Sequence, residues 1–390
     1  MKNNSDASTP MGVLMLLAIC AGLGVANVYY LQPGLSLVQS DFGITPEQVG
    51  WLPTATQLSY ALGMLLLAPL GDIIQRRKLI LIKATLLVIA LIVAWASGSI
   101  GSLIIASVFV GLLGSIGQDF IPAAAQLAPE KSRGRAVGTV TTGLLMGILL
   151  SRTLGGWITD MLGWRSMQLI AAVLMVVVMI IASRAVPATA PTHRSSYGSL
   201  LASLLTYWKK YPQLRLAVTV QGVLAMTLGA YWSCLAFVLA DSPFHLGAGI
   251  AGSFGIAGAA GALAAPLVGR LSDSKGPVLA IRIGSILVII AFLLMTFMPP
   301  SLWILAVGAV LFDLGVNAGL VSHLSLVSGI DPAARSRLNG LLMTGAMVGM
   351  AIGAAAGSYS WAHFGSEGLF GFGALAGVCA LILSYRYKKV

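Results

Sequence analysis

Apolar runs of about twenty residues recur along the whole chain, and no other feature restricts its fold so tightly. Twelve are present, at roughly 11–33, 50–70, 79–99, 101–128, 136–160, 166–184, 215–240, 249–268, 278–298, 301–328, 338–360 and 366–385, here numbered spans 1 to 12. At ~1.5 Å per residue, each is about the length needed to cross a hydrocarbon core ~30 Å thick. Lipid offers no water to satisfy backbone N–H and C=O groups, so runs this long are helices and not strands. Composition agrees: 57% of the 390 residues are hydrophobic and 9% charged, where a soluble domain carries about 25% charge. The expected class is an all-α integral membrane protein.

Span 1 admits a second reading. Lys2 and the apolar stretch after it resemble a signal peptide, and Leu17–Cys20 resembles a lipoprotein cleavage site. Ile19, however, is bulky where such a site needs a small residue, so span 1 is read as a retained helix. Cys20, Cys234 and Cys379 all lie within apolar runs and are odd in number, which suggests neither a disulfide framework nor a metal site.

Basic residues set the expected topology. With the N-terminus in the cytoplasm, the even-numbered connections hold Arg76, Arg77 and Lys78, then Lys131, Arg133 and Arg135, then the stretch from Arg184 to Arg215, then Arg270 and Lys275, then Arg335 and Arg337. Lys83 and Arg282 are expected one turn into spans 3 and 9, their ammonium and guanidinium groups reaching back to the cytoplasmic surface. Of 23 Lys and Arg, only Arg152 and Arg165 then fall elsewhere. This positive-inside pattern places both termini in the cytoplasm, and the inner membrane of a bacterium is the expected location. The net charge of +11 reflects that topology and anionic lipid, not nucleic-acid binding.

The chain also repeats itself. "PEKSRGRAVGTVTTGLLMG" at 129–147 aligns with "DPAARSRLNGLLMTGAMVG" at 331–349, so that Arg133 and Arg135 fall on Arg335 and Arg337, Gly147 on Gly349 and Gly155 on Gly357. The reading is a duplicated six-helix unit: an N-terminal bundle over 1–184, a polar linker over 185–214 able to form an amphipathic surface helix, and a C-terminal bundle over 215–390. A binding site between duplicated halves is the general plan of secondary transporters.

At this point the motifs become specific. "PLGDIIQRRKLI" at 69–80, with Gly71, Asp72, Arg76 and Arg77, its weaker echo "GRLSDSKGP" at 269–277, with Asp273 and Lys275, and the glycine-rich "GILLSRTLGG" at 147–156 together resemble the major facilitator superfamily over essentially the whole length. Within it the chain is similar to the twelve-helix drug/proton antiporters and their sugar-efflux-like relatives. The resemblance implies two pseudo-symmetric six-helix bundles, a central pathway lined by helices 1, 4, 7 and 10, and a cytoplasmic gate at the loop motifs. Three departures stand out. Ile73 replaces the basic residue after the loop acid, Ser107 stands where proton-coupled members carry an arginine, and Ser151–Arg152 occupies the place of the antiporter Gly-Pro pair.

The loop motif has its own physical reading. Gly71 and Asp72 begin a tight turn, and Arg76 and Arg77 can reach carboxylates or helix C-termini on the facing half. Deep in the spans, the charges are Asp119, Arg152 and Asp313. An ionised group at mid-membrane costs about 2.5–3.5 kcal/mol on insertion scales, so all three are expected to face protein or water. Two roles are open to Arg152: a salt bridge to Asp119 across a ~8 Å difference in depth, or a reach into the cavity for an anion. Asp119, close to Pro122, either satisfies backbone donors at a kink or carries a proton. Asp313 shares a helical face with Asn317 and either lines a cavity or glues helices together.

If spans 1, 4, 7 and 10 line a pathway, the candidates for substrate contact are Asn27, Tyr30, Gln32, Ser115, Gln118, Gln221, Tyr231, Trp232 and Asn317, with Gln57 of span 2 in addition. His323 is read as structural. There is no phosphate-binding GxxxxGK[ST] and no metal-spaced cluster, so neither a catalytic site nor a cofactor is expected, and the proton gradient is the expected energy source. The chain is read as a monomer whose partners are lipid and a small-molecule substrate, and as no enzyme: a proton-coupled exporter of a drug, sugar or metabolite. An importer or facilitator of a sugar or organic anion, or a receptor on the same fold, are the alternatives.

Overall fold

The computed structural model describes residues 11–188, 197–263, 275–331 and 334–387. The regular elements are α-helices: α1 (Met11–Ala26), α2 (Leu35–Phe42), α3 (Pro46–Leu62), α4 (Leu70–Ile73), α5 (Arg76–Trp95), α6 (Ile100–Gly114), α7 (Ile116–Leu127), α8 (Arg133–Leu162), α9 (Trp164–Ala185), α10 (Tyr197–Lys210), α11 (Pro212–Ala240), α12 (Ala248–Leu263), α13 (Pro277–Phe297), α14 (Leu302–Ile330) and α15 (Arg335–Ser384). Among the described residues every expected span overlaps helix. Eight helical stretches among the described residues, with α6 and α7 counted together over Ile100–Leu127, are long and apolar enough to cross a membrane, and local chemistry explains why the other spans are interrupted or fused.

Span 1 is shorter than its apolar run. Its helix stops at Ala26, and the chain continues through turns and a 3-10 segment at Gln32–Gly34. Asn27 caps this end, its Nδ2 donating to the carbonyls of Leu23 at 2.8 Å and Gly24 at 3.1 Å. Span 2 starts at a capping box, in which Thr45 Oγ1 accepts from the Gln48 N–H and Gln48 Oε1 from the Thr45 N–H, with Pro46 in the first turn. It then loosens into a π-turn at Gly63–Leu67. Span 4 breaks at Ser115, whose hydroxyl donates back to the Leu112 carbonyl at 2.8 Å. Spans 11 and 12 run on as one element broken at Gly365, where φ is +60°.

The repeated glycines explain how the helices approach. A Cβ added at Gly22 would stand 2.6 Å from the Gly143 carbonyl oxygen, and one at Gly222 would stand 3.2 Å from that of Gly345. Thus α1 packs on α8 in the first half through the same small residues by which α11 packs on α15 in the second.

Two faces can be distinguished by charge. On the basic face, which carries the Arg76, Arg133 and Arg335 ends of their helices, α10 lies between the π-turn at Gly63–Leu67 and α15. Tyr197 donates its hydroxyl to the Leu66 carbonyl at 2.8 Å, Arg337 reaches the Tyr207 hydroxyl at 3.4 Å, and Leu204 and Trp208 share a groove with Leu65 and Leu341. On the opposite face the halves meet directly, α8 against α12 and α3 against α15.

Candidate functional site

The deep charges occupy two separate places. Asp119 does not pair with Arg152. It forms a 2.6 Å ion pair with Lys83, and both side chains are almost wholly buried, at 3% and 2% exposure. Lys83 therefore does not reach back to the surface as the sequence reading expected. Helix α5 begins at Arg76, which puts Lys83 two turns in rather than one, ~10 Å deep; Asp119, eight residues from the end of α7, lies ~12 Å deep on the neighbouring helix. The depths match, and the pair closes. Gln118 donates to the Tyr60 hydroxyl at 3.2 Å beside it. A cavity of about 260 Å³ opens at Asp119, lined also by Arg76, Gln118, Arg337 and Thr344, and so bounded by both halves.

Arg152 lies elsewhere, buried at 7% exposure where the halves meet. It is ten residues from the Leu162 end of α8, Trp232 is eight from the end of α11, and Asp313 is eleven from the start of α14. Counted from the face opposite the basic one, all three are therefore ~12–16 Å deep, near the membrane centre. The Arg152 Nε donates to Gln32 Oε1 at 3.2 Å, and its guanidinium lies over the rings of Tyr29 at 4.9 Å and Trp232 at 4.4 Å. Two aromatic faces and one amide disperse a charge that no carboxylate contacts. Asp313 is close enough for electrostatic interaction with Arg152 but is not in ion-pair contact with it. Its Oδ2 is buried without a hydrogen bond, beside the Cζ2 edge of Trp232; a Cβ added at Gly258 would stand 2.7 Å from that carbon and 2.9 Å from that oxygen.

Orphaned polar atoms gather here. Trp232 Nε1, which faces Asp313, Asp313 Oδ2, and both side-chain polar atoms of Gln57, which faces the Tyr29 hydroxyl, are buried without a hydrogen bond of good geometry. An unsatisfied buried polar group costs about 1–3 kcal/mol, so a cluster of them is a standing cost that a bound molecule would relieve.

Other candidates are placed differently. Tyr231 donates its hydroxyl to the Leu305 carbonyl at 3.0 Å and packs on Phe312, which makes it core of the second half. The Ser115 hydroxyl is committed to the α6–α7 break, and Tyr30 is buried against Gly155. The Asn317 amide donates to the Asp313 backbone carbonyl at 2.8 Å, so the two do not form a side-chain pair. Gln221 Oε1 is 3.0 Å from His323 Nδ1, and His323 Nε2 is 3.0 Å from the Tyr387 hydroxyl, which holds the wholly buried histidine in a structural network. At the loop motif, Arg76 donates to the Gly71 carbonyl at 3.1 Å, closing the turn on itself. Arg77 is half-buried and Lys275 exposed; the side chain of Asp72, and Asp273 altogether, lie outside the described residues.

Several residues here escaped the sequence reading. Lys83 reads as a residue reaching back to the cytoplasmic surface, and Tyr29 and Tyr60 look like ordinary members of apolar runs. So does the seal on the opposite face, where Thr153 donates to the Gly252 carbonyl at 3.1 Å and Trp157 to the Ser253 hydroxyl at 3.0 Å. There Gly156 and Gly252 touch backbone to backbone, and the Asp160 carboxylate lies against Gly247 and Gly249 at the N-terminus of α12. Beyond the seal, Arg165 pairs with Asp41 and stacks on Trp164, and its hydrogen bond holds the exposed Asp41 carboxyl below its usual range.

Known proteins are similar to this chain in sequence and in fold. The sequence model of the Major Facilitator Superfamily matches residues 14–330 and 244–390. The uncharacterized transporter YgaY of Escherichia coli O157:H7 is 33% identical over 99% of this chain and 97% of its own length. The multidrug resistance protein MdtG of Proteus mirabilis is 26% identical over 92% of each. Among solved structures, a mutant of the nucleoside transporter NupG superposes with a TM-score of 0.78 at 13% identity, covering 96% of this chain and 98% of that one, a likeness of fold. A duplicated helical bundle, buried charges at the junction of its halves and these matches lead to one conclusion: the chain is a multi-pass membrane transporter belonging to the major facilitator superfamily.

Proposed function

We propose that the protein is a proton-coupled secondary transporter that exports a small organic molecule by alternating access. The observation that carries this reading is the pair of opposite, uncontacted charges at mid-membrane: Arg152 from the first half and Asp313 from the second, on either side of Trp232. A carboxylate whose desolvation and neighbours change as two halves rock is able to take up a proton in one state and release it in the other. With the basic face in the cytoplasm, the positive-inside rule makes this an inward-facing state, sealed at α8–α12 and open at the Asp119 cavity. Export as the direction leans on the resemblance to MdtG. No resident cofactor is needed in this scheme.

The test is flux in proteoliposomes under an imposed pH gradient, with a panel of ethidium, sugars, nucleosides and amino acids. Movement of at least one compound should follow the gradient, and Asp313→Asn should abolish that dependence while leaving exchange down a concentration gradient. Flux of every transported compound that ignores the pH gradient in the wild type overturns the coupling.

A further inference from the structure

The geometry points to a zwitterion as the ligand of the central site: a small molecule of amino-acid type whose carboxylate meets Arg152 and whose ammonium meets Asp313. This rests on reading the central cluster as the substrate site. It depends neither on the direction of transport nor on protons.

The argument is one of charge and hydrogen-bond complementarity. Arg152 uses Nε on Gln32 and presents its faces to Tyr29 and Trp232; among the described residues its two terminal nitrogens make no hydrogen bond. That leaves free the edge of the guanidinium suited to a carboxylate. Asp313 presents a buried oxygen without a well-formed hydrogen bond beside the same indole. The side chains of Arg152, Trp232, Asp313 and Gln57 are all more than nine-tenths buried. The site therefore holds one positive and one negative charge a short distance apart, and neither neutralises the other by contact.

A simple anion would satisfy Arg152 and be repelled by Asp313, and a simple cation would do the reverse. A neutral sugar can hydrogen-bond to both groups but brings a countercharge to neither. Only a molecule bearing both charges on a short skeleton matches both ends and keeps the filled site neutral, which matters in a low dielectric. Gln57, beside the Tyr29 ring on which Arg152 stacks, can donate its Nε2 to the same carboxylate.

The experiment is binding to purified full-length protein in detergent, by calorimetry and thermal shift, without any gradient. Three zwitterions, L-phenylalanine, L-leucine and L-serine, are each compared with the deaminated acid and the decarboxylated amine of the same skeleton: 3-phenylpropionate and 2-phenylethylamine, 4-methylpentanoate and 3-methylbutylamine, 3-hydroxypropionate and ethanolamine. At least one zwitterion should bind tenfold or more tightly than both counterparts. In Arg152→Gln that zwitterion should lose its advantage over the amine, and in Asp313→Asn its advantage over the acid, with Arg152→Lys retaining part of it. If no zwitterion is preferred to its own acid and amine by the wild type, or if the preference survives both substitutions, the inference fails. Wild-type binding alone decides the point should a variant not fold. Preferred binding without pH-dependent flux would overturn the proposed coupling and leave the zwitterion site standing, whereas pH-driven flux of another compound with no zwitterion preference would do the opposite.

Discussion

Replacing Lys83 with methionine leaves Asp119 as an isolated carboxylate between α5 and α7, and the size of the penalty follows from the geometry. At 2.6 Å, the Coulomb attraction is about 6 kcal/mol at an effective dielectric of 20. Desolvating the two ions costs several kcal/mol each. The pair is therefore close to neutral in net terms, but losing one member removes the attraction and keeps the other member's desolvation. A loss of about 3–5 kcal/mol is expected for Lys83→Met and for Asp119→Leu, whereas the double variant, with both charges gone and similar volume, should return to within about 1 kcal/mol of the wild type. Reversible unfolding in mixed micelles, arranged as a double-mutant cycle, measures this, and Asp119→Leu combined with Arg152→Gln serves as a control that should be additive. Additive losses for Lys83 and Asp119, or strong coupling of Asp119 to Arg152, would refute the pairing.

Three further outcomes are expected. Gly156→Val should prise α8 from α12, because a Cβ there already stands 2.9 Å from the Gly252 Cα; Ser253→Cys, in a Cys379→Ser background, should then react at least tenfold faster with an impermeant maleimide, and an unchanged rate would place the seal elsewhere. Gly258→Ala should reduce transport about tenfold or more with unchanged elution on size exclusion, since the new methyl meets Trp232 and Asp313, and wild-type flux in that variant would separate this spot from the pathway. Because Arg165 lowers the folded-state Asp41 pKa, that pair adds stability above the unfolded carboxylate value of ~3.9 and loses it as pH falls through the lower folded value. The group is well exposed, so Asp41→Asn should cost less than about 1 kcal/mol of stability at pH 7, seen as a small fall in the midpoint of thermal unfolding, and the gap should close in acid; a gap that widens on acidification contradicts the sign.

How much of this was legible beforehand depended on range. The amphipathic stretch that became α10 is a local pattern, visible within a few residues. The break at Ser115 is also local, but a serine within an apolar run is an ambiguous sign, compatible with an unbroken helix. Lys83 was misjudged because its depth depends on where α5 begins, and because its partner sits 36 residues away on another helix. The seal was missed since glycines, a threonine and a tryptophan in apolar runs look the same whether they face lipid, their own bundle or the other half.

The sequence by itself determined that this chain spans a membrane as helices, which of its ends are basic, that its two parts are related, and that Arg152, Asp119 and Asp313 would be held away from lipid. Those properties follow from hydropathy, period and spacing, which act within a helix or between aligned repeats. The tertiary structure decided who meets whom: Asp119 with Lys83, and Arg152 with Gln32, Tyr29 and Trp232 while remaining out of contact with Asp313. The physical reason is that pairing between buried charges depends on the rotation and depth of separate helices relative to one another. In this protein those are set by glycine contacts between helices, such as Gly22 with Gly143 and Gly156 with Gly252, more than a hundred residues apart in one case and nearly so in the other.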